Sequence, residues 1–174
     1  MIPLRILTLT CLLMIFFQDV KSRSVYWIFF PVLTALFLLL HYTESNSRPW
    51  AWQSAGFNIA FFIAQLLLVT IYFSVRNQKL TNITTRLLGL GDVLFILSIA
   101  FYLSIFNFLF FYIASLIAVL IFWLIWQSVS SEKNKHIPLA GLQALLFSAF
   151  LLCDWWLKLC SLTNDSWILN LIAR

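Results

Sequence analysis

The chain has 174 residues, of which 63% are hydrophobic and 10% are charged, and its formal net charge is +5. Soluble domains carry about 25% charged residues, so this composition excludes a water-soluble surface and indicates an integral membrane protein. Several apolar runs reach the ~20 residues of a spanning helix, and the length leaves no room for a separate soluble domain. We therefore expect an all-α, polytopic membrane protein, in which residues 1–174 form one bundle of about six transmembrane helices.

Three helices are predicted in the first half of the chain. The first covers about residues 2–17, and we expect it to be retained rather than removed as a signal peptide, because no small-residue cleavage site follows it. Asp19 comes just after its predicted end. The second helix covers about residues 25–40 and contains Pro31, which should kink it by removing a backbone donor. The third covers about residues 55–75.

A short glycine-aspartate segment opens the second half. Gly89 and Gly91 stand one residue apart, and Asp92 follows directly. An acidic residue at the mouth of a membrane helix is energetically costly, so Asp92 is a functional candidate. The glycines carry no side chain and allow a neighbouring backbone to approach the carboxylate. The same pattern also fits a plain helix start with a capping aspartate.

The remaining helices follow from the lengths of the apolar runs. Residues 93–126 are too many for one span and about right for two short ones. Asn107 is the predicted turn between them, which gives helices over about residues 92–105 and 108–127. A last helix is expected over about residues 138–159, and the weakly amphipathic tail after it is expected to lie on the membrane surface.

The basic residues predict the orientation. Most of them fall in one set of loops, which the positive-inside rule assigns to the cytoplasm, so that both termini lie outside. Asp19 and Asp92 then lie at the same cytoplasmic face. Since the positive charge is explained by topology, it does not indicate nucleic-acid binding. The cytoplasmic set is Lys21, Arg23, Arg76, Lys79, Arg86, Lys133 and Lys135, and the outer set is Arg5, Arg48, Lys158 and Arg174.

Asp19 and Asp92 form a candidate catalytic pair. Two carboxylates that share a proton can perform general acid-base chemistry on a peptide bond. A carboxylate at a helix N-terminus is favoured in its ionised form, and one beyond a helix C-terminus is not. Asp92 is therefore predicted to be the more readily ionised partner and Asp19 the more readily protonated one. The alternative is that each aspartate only caps a helix or pairs with Lys21, Arg23 or Arg86.

Three segments of the chain, in order, resemble motifs of the membrane aspartyl proteases of the prepilin peptidase type, which include archaeal preflagellin peptidases. Residues 18–26 are similar to the family's aspartate segment after the first helix, residues 89–92 to its GxGD motif, and residues 136–141 to its Ile-Pro segment opening a late helix. The resemblance implies an endopeptidase that cleaves leader peptides of type IV prepilin-like precursors at the cytoplasmic face of the inner membrane. Asp19 and Asp92 would be its catalytic residues.

The resemblance also implies roles for neighbouring residues. Gly89 and Gly91 would shape the site, and Ile137 and Pro138 would line it or set the entry of the last helix. The chain resembles the short form of the family, which lacks the four-cysteine zinc loop and the N-methyltransferase activity, so no metal or other cofactor is expected. The expected partners are prepilin-like protein substrates and membrane lipids; the sequence does not indicate an oligomeric state.

One alternative is a catalytically inactive pseudoprotease of the same fold with a role in assembly. The departures from the family pattern favour it. Residues 24–26 read Ser-Val-Tyr where the family often has Ile-Pro-Asn, Leu94 stands where lysine is frequent, and the second proline of the late segment is replaced at Gly141-Leu142.

Another alternative is a small membrane transport or lipid-binding protein. It would need polar residues along the middle of its helices. Asn58, Gln65 and Thr70 form only a weak stripe, which is more typical of interhelical hydrogen bonding than of a transport pathway.

Overall fold

The computed structural model of the chain describes residues 2–22, 24–44, 50–77, 89–129, 138–157, 161–165 and 167–169. Every regular element in these ranges is helical, so the predicted all-α fold is confirmed. Six α-helices follow one another, and the last continues directly into a π-helical turn, Cys153–Leu157. The helices are α1 (Ile2–Ser22), α2 (Phe29–Glu44), α3 (Trp50–Asn77), α4 (Leu90–Ile99), α5 (Ile105–Val129) and α6 (Leu139–Leu152).

Within the described ranges, four helical segments are long and apolar enough to cross a membrane. They are Ile2–Ser22, Trp52–Arg76, Ile105–Ser128 and Leu139–Leu157. The other two helices are also apolar but shorter, with 16 residues in α2 and 10 in α4. Large apolar side chains cover the outer faces of α3 and α5, as a lipid environment requires. The chain is thus a polytopic helical membrane bundle.

The first helix extends beyond its predicted end at residue 17. It continues to Ser22, so the prediction that Asp19 follows the helix is wrong. Its buried side chains recur at a spacing of three or four residues, and Asp19 continues this series after Thr8, Leu12 and Ile15. The helix therefore carries the carboxylate on the face that it turns toward the rest of the bundle.

The second helix begins at Phe29 and not at residue 25. Pro31 consequently lies in the first turn, where a backbone N–H has no intrahelical acceptor in any case. The missing donor costs nothing there, which removes the physical reason for the predicted kink. The third helix begins earlier than predicted, at Trp50.

The turn between α4 and α5 lies before Asn107, which is inside the first turns of α5. The chain turns between Ile99 and Ile105, and the side chain of Asn58 in α3 binds the backbone of this turn. Its amide donates hydrogen bonds to the carbonyl oxygens of Ala100 (3.1 Å) and Leu103 (2.9 Å). Those carbonyls are near a helix end and would otherwise be buried without partners, so a residue distant in sequence decides where the helix stops.

The described part of the tail packs against the bundle instead of lying on the membrane surface. Leu162 is fully buried. Asp165 caps the start of α5, because its Oδ1 accepts hydrogen bonds from the Ser104 hydroxyl (2.5 Å) and from the backbone N–H groups of Phe106 (3.2 Å) and Asn107 (3.4 Å). This segment thereby supplies acceptors for the orphan donors of an apolar helix.

The closest helix packing is between α1 and α6, and α2 lies against both α1 and α4. The centre of the bundle is aromatic. Phe37 of α2 stacks on Tyr102 with ring centroids 5.2 Å apart and meets Phe147 of α6 edge-on at 5.5 Å, while Phe95 of α4 also packs on Phe147. This core joins α2, α4 and α6 below the ends where the two aspartates lie.

Candidate active site

Asp19 reaches from the last turn of α1 into the first turn of α6. Its Oδ2 accepts a hydrogen bond of 2.6 Å from the backbone N–H of Gly141, and only 8% of the residue is exposed. Gly141 is the third residue of α6, and its N–H is one of the donors that have no acceptor within the helix. The carboxylate of one helix therefore caps another helix.

The closeness of this contact requires a glycine at position 141. A Cβ atom there would lie 2.8 Å from the Cβ of Asp19, 3.1 Å from its Oδ2 and 3.2 Å from the carbonyl oxygen of Phe16. Carbon atoms in ordinary contact are about 3.5–4.0 Å apart, so any side chain would push α1 and α6 apart. In the sequence, Gly141 stood out only as part of the segment at residues 136–141 that resembles the family's late motif. The available signal was a glycine in the first turn of an otherwise apolar helix.

Asp92 is the third residue of α4 and lies outside the four candidate spans. Its Oδ2 accepts a hydrogen bond of 3.1 Å from the N–H of Gly89, while its own N–H donates to the Gly89 carbonyl at 3.0 Å. Burial, followed by the negative charge of Asp19, raises the pKa of Asp92 to about 6, against the smaller opposing effect of the N–H groups of Gly89 and Ala140. The two aspartates are therefore electrostatically coupled.

Both carboxylates lie at the first turn of α6. Successive backbone N–H groups of that helix stabilise them: the N–H of Ala140 opposes the rise in the pKa of Asp92, and the N–H of Gly141 donates a hydrogen bond to Asp19. The segment that opens the last helix in the sequence is thus part of the site, although the residues used are Ala140 and Gly141. Pro138 precedes the helix, and its carbonyl accepts a hydrogen bond from Leu142 (3.2 Å). Ile137 lies outside the described residues.

The two glycines of the glycine-aspartate segment have different roles. Gly89 donates to Asp92, and a Cβ atom on it would lie 3.2 Å from the Asp92 Oδ2. Gly91 faces Phe30, and a Cβ atom there would lie at an ordinary contact distance of 3.6 Å from the Phe30 Cζ. Gly89 therefore fits closely around the carboxylate, and Gly91 sits against the core.

The fold agrees with one half of the basis for the predicted charge assignment, since Asp92 lies in the first turn of α4. The prediction placed Asp19 beyond a helix C-terminus, where a negative charge is disfavoured. In the fold Asp19 lies in the last turn of α1, and the bond to Gly141 also places its carboxylate at the N-terminal end of α6, where a negative charge is favoured. Of the basic residues suggested as alternative partners, Lys21 is exposed, and Arg23 and Arg86 lie outside the described residues.

Because its pKa is raised to about 6, the Asp92 carboxyl group can carry a proton close to neutral pH, beside a second, electrostatically coupled carboxyl group. This arrangement can take a proton from a water molecule and give one to a carbonyl oxygen in the same site. Comparison of the chain with protein-family models, with curated proteins and with solved structures finds no match. The function has to be argued from the geometry of the site itself.

Proposed function

We propose that the chain is a membrane aspartic endopeptidase that cleaves the leader peptides of type IV prepilin-like precursors. The observation that carries the proposal is the meeting of Asp19 and Asp92 at the first turn of α6. The resemblance of three segments to the prepilin peptidase family supports it, because the three segments supply Asp19, Asp92 and the amides between which they meet.

A purely structural role accounts poorly for two acids at one helix end. A single carboxylate is enough to cap α6, and Asp19 already does so at 2.6 Å. The second carboxylate adds electrostatic repulsion, which contributes to the raised pKa of Asp92. Groups held in such costly surroundings are concentrated at functional sites. The pair therefore favours catalysis over capping.

The proposed location is the inner membrane, with the site at its cytoplasmic face and both termini outside. The end of α1 and the starts of α4 and α6 share one end of the bundle. The loops at that end contain most of the basic residues of the chain, as cytoplasmic loops do. A precursor whose cleavage site precedes its hydrophobic segment would present that site to the aspartates from the cytoplasm.

The direct test is cleavage of a pilin-like precursor by the full chain reconstituted in lipid vesicles. The variants are Asp19→Asn and Asp92→Asn, which keep the size of the side chain and remove its acid-base chemistry. Each should lower the cleavage rate by roughly 10²–10⁴-fold. The matched control is Asp154→Asn, which changes a carboxylate about 20 Å further along the last helix and should leave cleavage unchanged.

Two results would count against the proposal. Full activity of either variant at the pair would show that the carboxylates do not act together. Failure of the wild type to cleave any of a panel of pilin-like precursors, with normal membrane insertion, would favour the inactive pseudoprotease.

A further inference from the structure

We propose that the aspartate pair, Asp19 and Asp92, lies at the floor of a water-filled recess in the cytoplasmic face of the membrane, and that this recess takes the end of the substrate's leader as an extended peptide. The recess is walled on one side by α3 and α5, which rise about 10–12 Å above the pair to the membrane surface. The part that concerns the leader rests on the proposed function, whereas the recess can be measured without a substrate.

Contacts between helices show which residues of α5 lie level with the pair. Phe111 of α5 packs on Phe147 of α6 with ring centroids 5.0 Å apart. Four residues further along α5, Ser115 accepts a hydrogen bond of 3.1 Å from Gln143, which lies four residues earlier in α6. The two helices are therefore antiparallel, and the same register places the first turn of α6, with the pair, level with about residue 118 of α5.

α3 runs beside α5 and in the same direction. Asn58 binds the turn that precedes α5, and Phe62 packs on Tyr112, further along both helices, with ring centroids 6.0 Å apart. This contact places about residue 68 of α3 level with the pair. From these levels α3 continues to Asn77 and α5 to Val129, about 13–17 Å further on. We call these final turns of α3 and α5 the overhang.

The overhang carries the marks of a lipid environment. The apolar stretch ends at corresponding levels in the two helices, where Arg76 follows Val75 in α3 and Gln127 follows Trp126 in α5. A tryptophan and the first basic or polar residues are typical of a membrane-water boundary. That boundary lies about 10–12 Å past the level of the pair. Below it, the large apolar side chains of α5 are 49–59% exposed, namely Leu120, Ile121, Phe122, Leu124 and Ile125.

The opposite ends of the same two helices give an independent check. The hydrocarbon region of a bilayer is about 30 Å thick, which corresponds to about 20 residues of helix. Counting about 20 residues back from Val75 reaches residue 55, directly after the polar Ser54, and the same count from Ile125 reaches Ile105, directly after Ser104. Both helices therefore span the whole membrane, and the pair lies about a third of the way in from the cytoplasmic side.

Three other helices end near the level of the pair, within the thickness of the membrane. α1 ends at Ser22, α4 begins at Leu90 and α6 begins at Leu139. Helix ends carry backbone groups that have no partner within the helix, and such groups cannot face lipid. Lys21 and Ser22, at the end of α1, are also exposed. Water therefore reaches this level, where hydrolysis of a peptide bond would consume it.

The side formed by α1 and α2 is lower than the overhang. Phe30 of α2 lies level with the pair, since a Cβ atom on Gly91 would lie 3.6 Å from its Cζ. Tyr26 and Trp27, just before it, are each 70% exposed, and exposed aromatic residues of this kind mark a membrane boundary. On this side the boundary is about 5 Å above the pair. The recess thus has a high wall at α3 and α5 and a low rim at residues 24–28.

The dimensions of the recess fit an extended peptide. A depth of about 10–12 Å corresponds to three or four residues of extended chain. A helix would need about seven residues for the same depth and is about 10 Å wide. Near the level of the pair, Val20 (49% exposed) and Leu90 (67% exposed) offer apolar contacts to the peptide. A leader that descends from the cytoplasm therefore places about three residues before the cleaved bond in the recess.

The first experiment compares Ser22→Cys with Ile121→Cys, two positions at equal depth, each three residues past the level of the pair. The full chain in lipid nanodiscs is treated with a negatively charged methanethiosulfonate, and peptide mass spectrometry identifies the labelled residue among the native cysteines. Ser22→Cys should label at least about 10-fold faster, because a charged reagent does not enter lipid. Gln127→Cys, at the boundary on the same helix as Ile121, should label fast. After denaturation all three should label equally.

Two labelling results would overturn the recess. Fast labelling of Ile121→Cys would show that α3 and α5 project into the cytoplasm, so that the pair lies at the surface. Slow labelling of Ser22→Cys would show that water does not reach the level of the pair.

The second experiment tests the leader. A polyethylene glycol maleimide attached to Ser22→Cys should lower the cleavage rate at least about 10-fold by filling the recess, whereas the same group on Gln127→Cys should not. Cleavage at the wild-type rate by labelled Ser22→Cys would refute entry of the leader through the recess. The expected labelling pattern without cleavage of any precursor would uphold the recess and count against the proposed function, so the two failures are distinguishable.

Discussion

The close approach of Gly141 to Asp19 predicts a large difference between two glycine substitutions. Gly141→Ala would place a Cβ atom 2.8 Å from the Cβ of Asp19 and 3.2 Å from the Phe16 carbonyl oxygen. Relieving the first overlap requires α1 and α6 to separate by about 0.7–1.2 Å, to reach the ordinary carbon contact of about 3.5–4.0 Å. Overpacking of this kind costs about 1–3 kcal/mol, and the better helix propensity of alanine returns at most about 1 kcal/mol.

The net expectation for Gly141→Ala is a loss of about 1–2 kcal/mol, or a melting temperature lower by roughly 2–8 °C for a chain of this length. Gly56→Ala is the matched control, because Gly56 also lies inside a helix and a Cβ atom there would meet nothing within 4 Å. That control should be neutral or slightly stabilising. Thermal unfolding in detergent, followed with a thiol-reactive dye, measures both variants.

A double variant tests whether the overlap with Asp19 causes the loss of stability in Gly141→Ala. In Asp19→Gly/Gly141→Ala the shortest overlap is gone, so the two substitutions should be less destabilising together than the sum of their separate effects, by at least about 0.5 kcal/mol. Equal melting temperatures for Gly141→Ala and Gly56→Ala would refute the reasoning, since they would mean that α1 and α6 do not approach as described. A 1 Å displacement of Asp19 should also lower the proposed cleavage activity by about 10²-fold.

Three further predictions follow from individual contacts. Asp92→Asn should remove a pH dependence of stability. The pKa of Asp92 is about 6 in the fold against an ordinary 3.8, so between these values the folded wild type binds a proton that the unfolded chain has released. The free energy of unfolding of the wild type should therefore fall by at most about 3 kcal/mol as the pH rises from 4 to 7. The variant should therefore melt above the wild type at pH 8 and not at pH 4.5. If the two proteins melt at the same temperature at both pH values, the pKa of Asp92 is not raised by burial and by the charge of Asp19. Asn58→Leu should lower the free energy of unfolding by about 1–3 kcal/mol, because it leaves the carbonyls of Ala100 and Leu103 buried without their donor. A melting temperature equal to that of the wild type would show that the turn does not depend on Asn58. Asn107→Ala should lower the free energy of unfolding by about 2–3 kcal/mol and expose the tail to proteolysis. The Asn107 amide N–H₂ group donates to the carbonyls of Ser161, Leu162 and Asn164, and its Oδ1 accepts a hydrogen bond from the indole of Trp167. An unchanged proteolytic cleavage pattern would argue against this attachment of the tail.

The helices were predictable because they follow from composition alone. In a bilayer the backbone has to satisfy its own hydrogen bonds, so long apolar runs have one available structure. Helix ends were less predictable, because partners distant in sequence decide them. Asn58 stops α4 and Asp165 starts α5, and both act across more than 40 positions of the chain. The turn predicted at Asn107 was wrong for this reason.

The candidate site was predictable in its residues but not in the contacts that surround them. Asp19 and Asp92 stood out because acids are scarce and costly in an apolar chain. The sequence suggested that the two aspartates lie at the same face of the membrane, and the fold brings both to the first turn of α6. Their catalytic role stays a prediction.

By itself, the sequence determined that this protein is an all-helical membrane bundle and which two carboxylates to examine, because hydrophobicity and the cost of charge are local properties. Only the tertiary structure decided what surrounds each carboxylate. It extends α1 past Asp19 and places the backbone nitrogen of Gly141 2.6 Å from the Asp19 Oδ2. Ionisation depends on the donors and charges within a few ångströms, and a helix N-terminus 122 positions away in the chain leaves no mark on the sequence near Asp19.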